Sequence, residues 1–206
     1  MIEAANSAGF IWMFPVTFVS SAFVPTEKDM PALDLISQIY FSESSDLYRQ
    51  LVLEDQSVDQ MFAWFPDRKD PGMLMIAARL TDASSATDVR DKINAALTEA
   101  RTQLASESKV EETKSRLRYS FTAGMDSSGN IGSILATFAH FNRDIEIIND
   151  VYATYESLTA EDVRAVANKY FVDDSRVTFT LSSDEAMPGI ETSKLEPAEL
   201  MQTRGW

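Results

Sequence analysis

SLTAEDVRAVANKYFVDDSRVTFTL, running from Ser157 to Leu181, reads as a capped helix followed by a strand. Thr159 lies three residues before Asp162, a capping-box spacing in which each side chain can satisfy an orphan amide at a helix start. Val163, Val166, Ala167, Tyr170 and Phe171 then recur at helical intervals on one face, with Glu161, Arg164 and Lys169 turned away from it. Asp173 and Asp174 break the helix. Arg176 to Leu181 alternates as a strand, with Val177, Phe179 and Leu181 on one side.

Working back from that unit, the apolar run Gly9 to Val24 is shorter than the ~20 residues of a spanning helix and is interrupted by Pro15, Thr17, Ser20 and Ser21. No Lys or Arg precedes it, although a secretory signal begins with positive charge. Phe10, Trp12, Phe14, Val16 and Phe18 alternate, which predicts a buried strand. Thr26 or Asp29 then caps a helix carrying Leu33, Ile36 and Tyr40, with Pro31 in its first turn. Asp46 starts a short helix through Leu47, Leu51 and Val52. Val58 to Phe65 and Met73 to Leu80 are two strands, joined as an antiparallel pair by the turn formers of Pro66 to Gly72.

The period turns helical from there. Val89, Ile93, Leu97, Ala100 and Leu104 mark one helix, and Ser108 with Glu111 offers a second capping box. Leu117 and Phe121 extend that helix to a glycine-spotted turn, Gly124 to Gly132. Two more stripes follow: Ile134, Leu135, Phe138 and Phe141, then Ile147, Ile148, Val151, Tyr152 and Tyr155. This order predicts an α+β fold, an antiparallel sheet with helices packed on it. The pattern predicts one domain over residues 1–182 and, from its scant apolar periodicity, an extended or frayed tail over residues 183–206.

The 206 residues carry 45% hydrophobic content, enough for a sizeable core. A net charge of −14 argues against nucleic acid, whose phosphates call for Lys and Arg. The absence of cysteine excludes a disulfide framework and does not select a compartment.

Single residues supply little chemistry. His140 is the lone histidine; Asp144 follows one helical turn later, but two ligands do not make a metal site. Gly124 to Gly129 has the glycine spacing of a phosphate loop, yet Asn130 and Ile131 replace the required Lys and hydroxyl residue, and no strand leads into it. Glu54-Asp55, Glu111-Glu112 and Asp173-Asp174 are neighbours that point different ways on a helix. Met61, Met73 and Met75 suit strand-face core filling.

Three blocks in order carry a resemblance: FVPTEKDMPALDLISQIYFSESSDLYRQLVLEDQSV (Phe23 to Val58), DPGMLMIAARL (Asp70 to Leu80) and the closing helix and strand. The set resembles a domain of the pitrilysin/insulinase-like zinc peptidases, the family that includes the mitochondrial processing peptidases. That family hydrolyses peptides with an H-x-x-E-H helix, two His on zinc and the Glu as base. One histidine and no cysteine cannot reproduce it. Active members also hold substrate backbone with an arginine and a tyrosine; lining up Leu51 to Asp59 puts Val52 and Asp59 at those positions, and neither can donate to a peptide carbonyl.

The resemblance therefore implies a carboxy-terminal-type domain without catalytic, metal-binding or assignable substrate-binding residues. Relatives pair such domains in tandem, and two subunits or halves enclose a peptide chamber. The expectation is a non-catalytic wall of that chamber, supporting a zinc-bearing domain of the same or a partner polypeptide. Cleavage of unstructured peptides, zinc held in the other domain, a dimer, no membrane span and a bacterial periplasmic setting complete it. A start close to a core strand fits a piece of a longer polypeptide. The rival expectation is a scaffold or binding module of a wholly inactive peptidase homologue.

Overall fold

The computed structural model describes residues 8–16, 28–64, 72–142, 147–172 and 176–181. Strands β1 (Ala8–Val16), β2 (Val58–Trp64), β3 (Gly72–Leu80) and β4 (Val177–Leu181) form one antiparallel sheet of order β2-β3-β1-β4. β1 pairs with β3 along its whole length, from Ala8 opposite Leu80 to Val16 opposite Gly72. β4 covers only Gly9 to Met13 of it. Among the described residues Pro15 thus has only β3 beside it, the kind of position at which a missing N–H is best tolerated. The first segment is a strand, as its alternation predicts; Phe18 lies outside the described residues.

Helix α1 (Asp29–Phe41) is buried on nearly all sides, with Leu33, Leu35, Ile36 and Phe41 fully enclosed. It packs against the helices that follow: α3 (Ala86–Thr102), α4 (Glu107–Gly124), α6 (Ile147–Ser157) and α7 (Ala160–Tyr170). The helix-side face of the sheet supplies Val58, Met61, Leu74, Ile76, Ala78 and Leu80, all buried. α3 adds Val89, Ile93 and Leu97 to the same core, and α7 adds Val163, Val166, Ala167 and Tyr170. The result is helices on one face of an antiparallel sheet, the α+β arrangement expected from the element order.

The α7 capping box is present as predicted: Thr159 Oγ1 accepts from the Asp162 amide at 3.2 Å, and Asp162 accepts from the Thr159 amide at 3.0 Å. Other local expectations need correcting. α1 begins after Lys28, which makes no side-chain cap, and Asp29 is its first helical residue. Asp29 instead accepts from the Tyr170 hydroxyl at 2.5 Å and from Lys169, tying α1 to α7. Thr26 lies outside the described residues. α4 is capped by Ser106, whose hydroxyl accepts from the Lys109 amide, so Ser108 sits inside the helix. α3 ends at Thr102, which leaves Leu104 beyond it and 46% exposed. The glycine-spotted turn shrinks to residues 125–127, because α5 (Ser128–Asn142) absorbs Gly129 and Gly132. Short-range spacing offers several serines as caps, and packing chooses among them.

The short helix after Ser45 changes character partway. α2 (Asp46–Tyr48), capped by Ser45, widens into a π-helical turn, Arg49–Glu54, where the Asp55 amide reaches back to the Gln50 carbonyl. Leu51 is buried beneath it and Gln56 leaves with φ of 52°, a left-handed conformation that costs a non-glycine residue about 1–2 kcal/mol. The Gln56 carbonyl accepts from Thr81 Oγ1 at 2.8 Å, a bond that helps hold it there.

Candidate functional site

β2 and β3 are apolar at both parities, Met61-Phe62-Ala63-Trp64 and Met73-Leu74-Met75-Ile76-Ala77-Ala78. Continuous runs of this kind mark strands covered on both faces. Among the described residues the helices cover one face only. Leu74, Ile76 and Ala78 go to the core, whereas Met73 is 41% exposed on the other side. Met73 therefore does not fill the core as its strand position suggested; Met61 does.

A bulge sets which β2 residues reach the bare face. Val58 pairs with Leu80 and Gln60 with Arg79, so Asp59 is an extra residue, and the alternation resumes with Phe62 opposite Ala77 and Trp64 opposite Met75. Phe62 and Trp64 are each 48% exposed, and Val177 on β4 matches them. The backbone register places Met75 opposite Met13, and Met13 opposite Val177, so one row crosses the whole sheet. At the end of the face, Arg79 donates to Asp59 at 2.8 Å. That bond holds the Asp59 carboxyl below the usual carboxylate range and raises the Arg79 guanidinium, leaving a neutral pair beside an apolar surface. Such a surface can take up apolar side chains from an extended chain with little sequence demand, because dispersion and hydration act without direction.

Neither position aligned with the family's substrate clamp carries a clamp. Val52 packs half-buried against the core from the π-helical turn, and Asp59 is engaged by Arg79. His140 is exposed on α5, and Asp144 lies outside the described residues. Among the described residues no group of three or more His, Asp or Glu is arranged to hold a metal ion. Gly124 ends α4 and Gly129 lies within α5, so their spacing makes no phosphate cradle. No helix among the described residues is long and apolar enough to cross a membrane. Sequence reasoning passed over Phe62 and Trp64 as surface groups; the signal was their place in a run apolar at both parities.

No family model matches the chain. It is 24% identical over 155 residues to the zinc protease PqqE of Helicobacter pylori, covering 75% of this chain and 35% of that relative. It therefore spans about a third of the curated relative's length. In fold it is similar to the inactive peptidase domain of a proposed zinc protease from Bordetella parapertussis, with a TM-score of 0.73 and 18% identity, over 90% of this chain and 98% of the other. A peptidase M16 inactive domain from Pseudomonas fluorescens is similar with a TM-score of 0.70 and 17% identity, over 85% of this chain and 40% of the other.

Proposed function

We propose that this chain, which has the fold of the inactive domains of pitrilysin-like (M16) zinc peptidases, acts as the non-catalytic second domain of a zinc-peptidase-like protein. Its bare sheet face then forms part of the wall of a peptide-holding chamber. One observation carries this: an apolar surface of Phe62, Trp64, Met73 and Val177 that the fold's own helices leave uncovered. Isolated exposed hydrophobics need no explanation, but apolar residues gathered on one face of one sheet mark a surface for contact. Finishing the burial of a half-exposed Phe or Trp contributes about 1 kcal/mol each, enough in sum to retain an extended chain weakly and without strict sequence.

The zinc centre of the pitrilysin-like peptidases does not fit this chain's residues. The H-x-x-E-H centre of the peptidases takes two histidines on zinc, and the sequence supplies one histidine and no cysteine. A set of one His with carboxylates would not be that centre. We assign zinc to a separate domain, of the same or a partner polypeptide, and peptide hydrolysis to that domain. Unstructured peptides are the proposed substrate, and the bacterial periplasm the proposed compartment.

The test combines the purified chain with a zinc-bearing domain of such a peptidase and follows cleavage of an unfolded peptide. Alone, the chain should bind no stoichiometric zinc and cleave nothing. Together, the pair should cleave faster than the zinc domain by itself, and Phe62→Ser with Trp64→Ser should remove the gain. Stoichiometric zinc with chelator-sensitive cleavage by this chain alone overturns the reading. Association without any gain in cleavage would favour a scaffold instead.

A further inference from the structure

Opposite the sheet, three helices fail to close on one another. α5 contributes to a small apolar cluster apart from the main core, in which Phe138 and Val151 are buried. Next to it, α4, α5 and α6 line an open cavity of ≈ 550 Å³. Phe121, Ile131, Ile134, Leu135, Ile148 and Tyr152 line it, and none of the six is buried. The Phe121 and Tyr152 rings meet there with centroids 4.5 Å apart, making an aromatic wall. A volume within the roughly 300–1,000 Å³ of small-molecule sites, walled by apolar side chains with a few polar groups, is the ordinary form of a ligand pocket.

The charges at its edge limit what can enter. Arg118 and Glu156 both line the cavity and pair with each other, so its edge carries matched charges and no net charge. The remaining polar groups, the Thr122 hydroxyl and the Asn149 amide, are neutral. Burial, and then the nearby Asp34 carboxylate, push the Tyr152 hydroxyl well above its ordinary pKa, so it too stays uncharged. An ion entering here would give up hydration against apolar walls and meet only charges already matched to each other, which favours an uncharged occupant.

We propose that the cavity between α4, α5 and α6 is a binding site for an uncharged, largely apolar small molecule. It is independent of the sheet face and of any peptidase role.

Titrating the full chain with the neutral dye N-phenyl-1-naphthylamine should give saturable one-to-one binding with a several-fold rise in fluorescence. The anionic analogue 1-anilinonaphthalene-8-sulfonate should bind at least ten-fold more weakly. Ala153 and Thr122 line the cavity from exposed positions, so Ala153→Phe and Thr122→Phe occupy it without entering the core. Either variant should weaken the neutral dye at least ten-fold, with the unfolding midpoint unchanged. Undiminished binding in both variants, non-saturable binding, or equal affinity for the sulfonate overturns the proposal. Loss of dye in Phe62→Ser with Trp64→Ser would place binding on the sheet face and overturn it as well.

Discussion

Asp162 accepts from three donors on one carboxylate oxygen: the Thr159 amide and hydroxyl at 3.0 Å each, and Lys28 Nζ at 2.9 Å. It thus closes the cap of α7 and ties that helix to the residue before α1. Burial works to raise its pKa, but Lys28 and the two Thr159 donors outweigh that and leave it lowered. The sign follows directly. A carboxyl whose folded pKa lies below the unfolded value, near ~3.9, stabilises the fold above that value and loses its contribution as pH falls through the folded one. Asp162→Ala should therefore cost about 1–2 kcal/mol at neutral pH. In urea unfolding the gap from the parent protein should narrow as pH drops below ~4. A gap that stays constant into acid would mean the carboxylate charge contributes nothing. The two halves of this cap lie three residues apart and are plain in the sequence. The role of Asp29 is not legible locally, because its partner Tyr170 stands 141 residues away and no local pattern reports a contact of that separation.

At the scale of the element, β3 carries both faces of the sheet in alternate residues, which makes it the strand on which to measure the difference between them. Ile76 is fully buried beneath the helices, so Ile76→Ala removes apolar contact and leaves a cavity, about 2–5 kcal/mol. Met73→Ser, three residues earlier on the uncovered side, should shift stability by within about 0.5 kcal/mol. Comparable losses at both positions would show that something covers the second face in the isolated chain. The strands, their antiparallel pairing and the helical stripes were legible because a period of 2 or 3.6 is written into apolar spacing. Which face lies bare was not, since β2 and β3 are apolar at both parities. Nor was the bulge: Asp59 differs from an ordinary edge residue only when Val58 and Gln60 are seen opposite Leu80 and Arg79. The π-helical turn likewise depends on Leu51 being drawn into the core, which no spacing announces.

Across the whole chain, a net charge of −14 sets repulsion among carboxylates against the ion pairs that the helices make. Those pairs are mostly exposed: Arg49 with Asp46, Arg90 with Asp91 and Lys109 with Asp46 each leave at least one partner more than half accessible. Exposed pairs contribute roughly 0–1 kcal/mol each, and salt screens them as readily as it screens the repulsion. With 32 acidic residues against 18 basic ones, the net charge repels itself over long range, so screening should stabilise on balance. Raising sodium chloride from about 10 mM to 150 mM shortens the screening length from roughly 30 Å to 8 Å, which removes long-range repulsion before it removes contacts at 3 Å. The unfolding midpoint should rise by a few degrees over that range and level off beyond it. A midpoint that falls with the first salt would show that the ion pairs joining α1 and α2 to α4 and α7 outweigh the excess of negative charge.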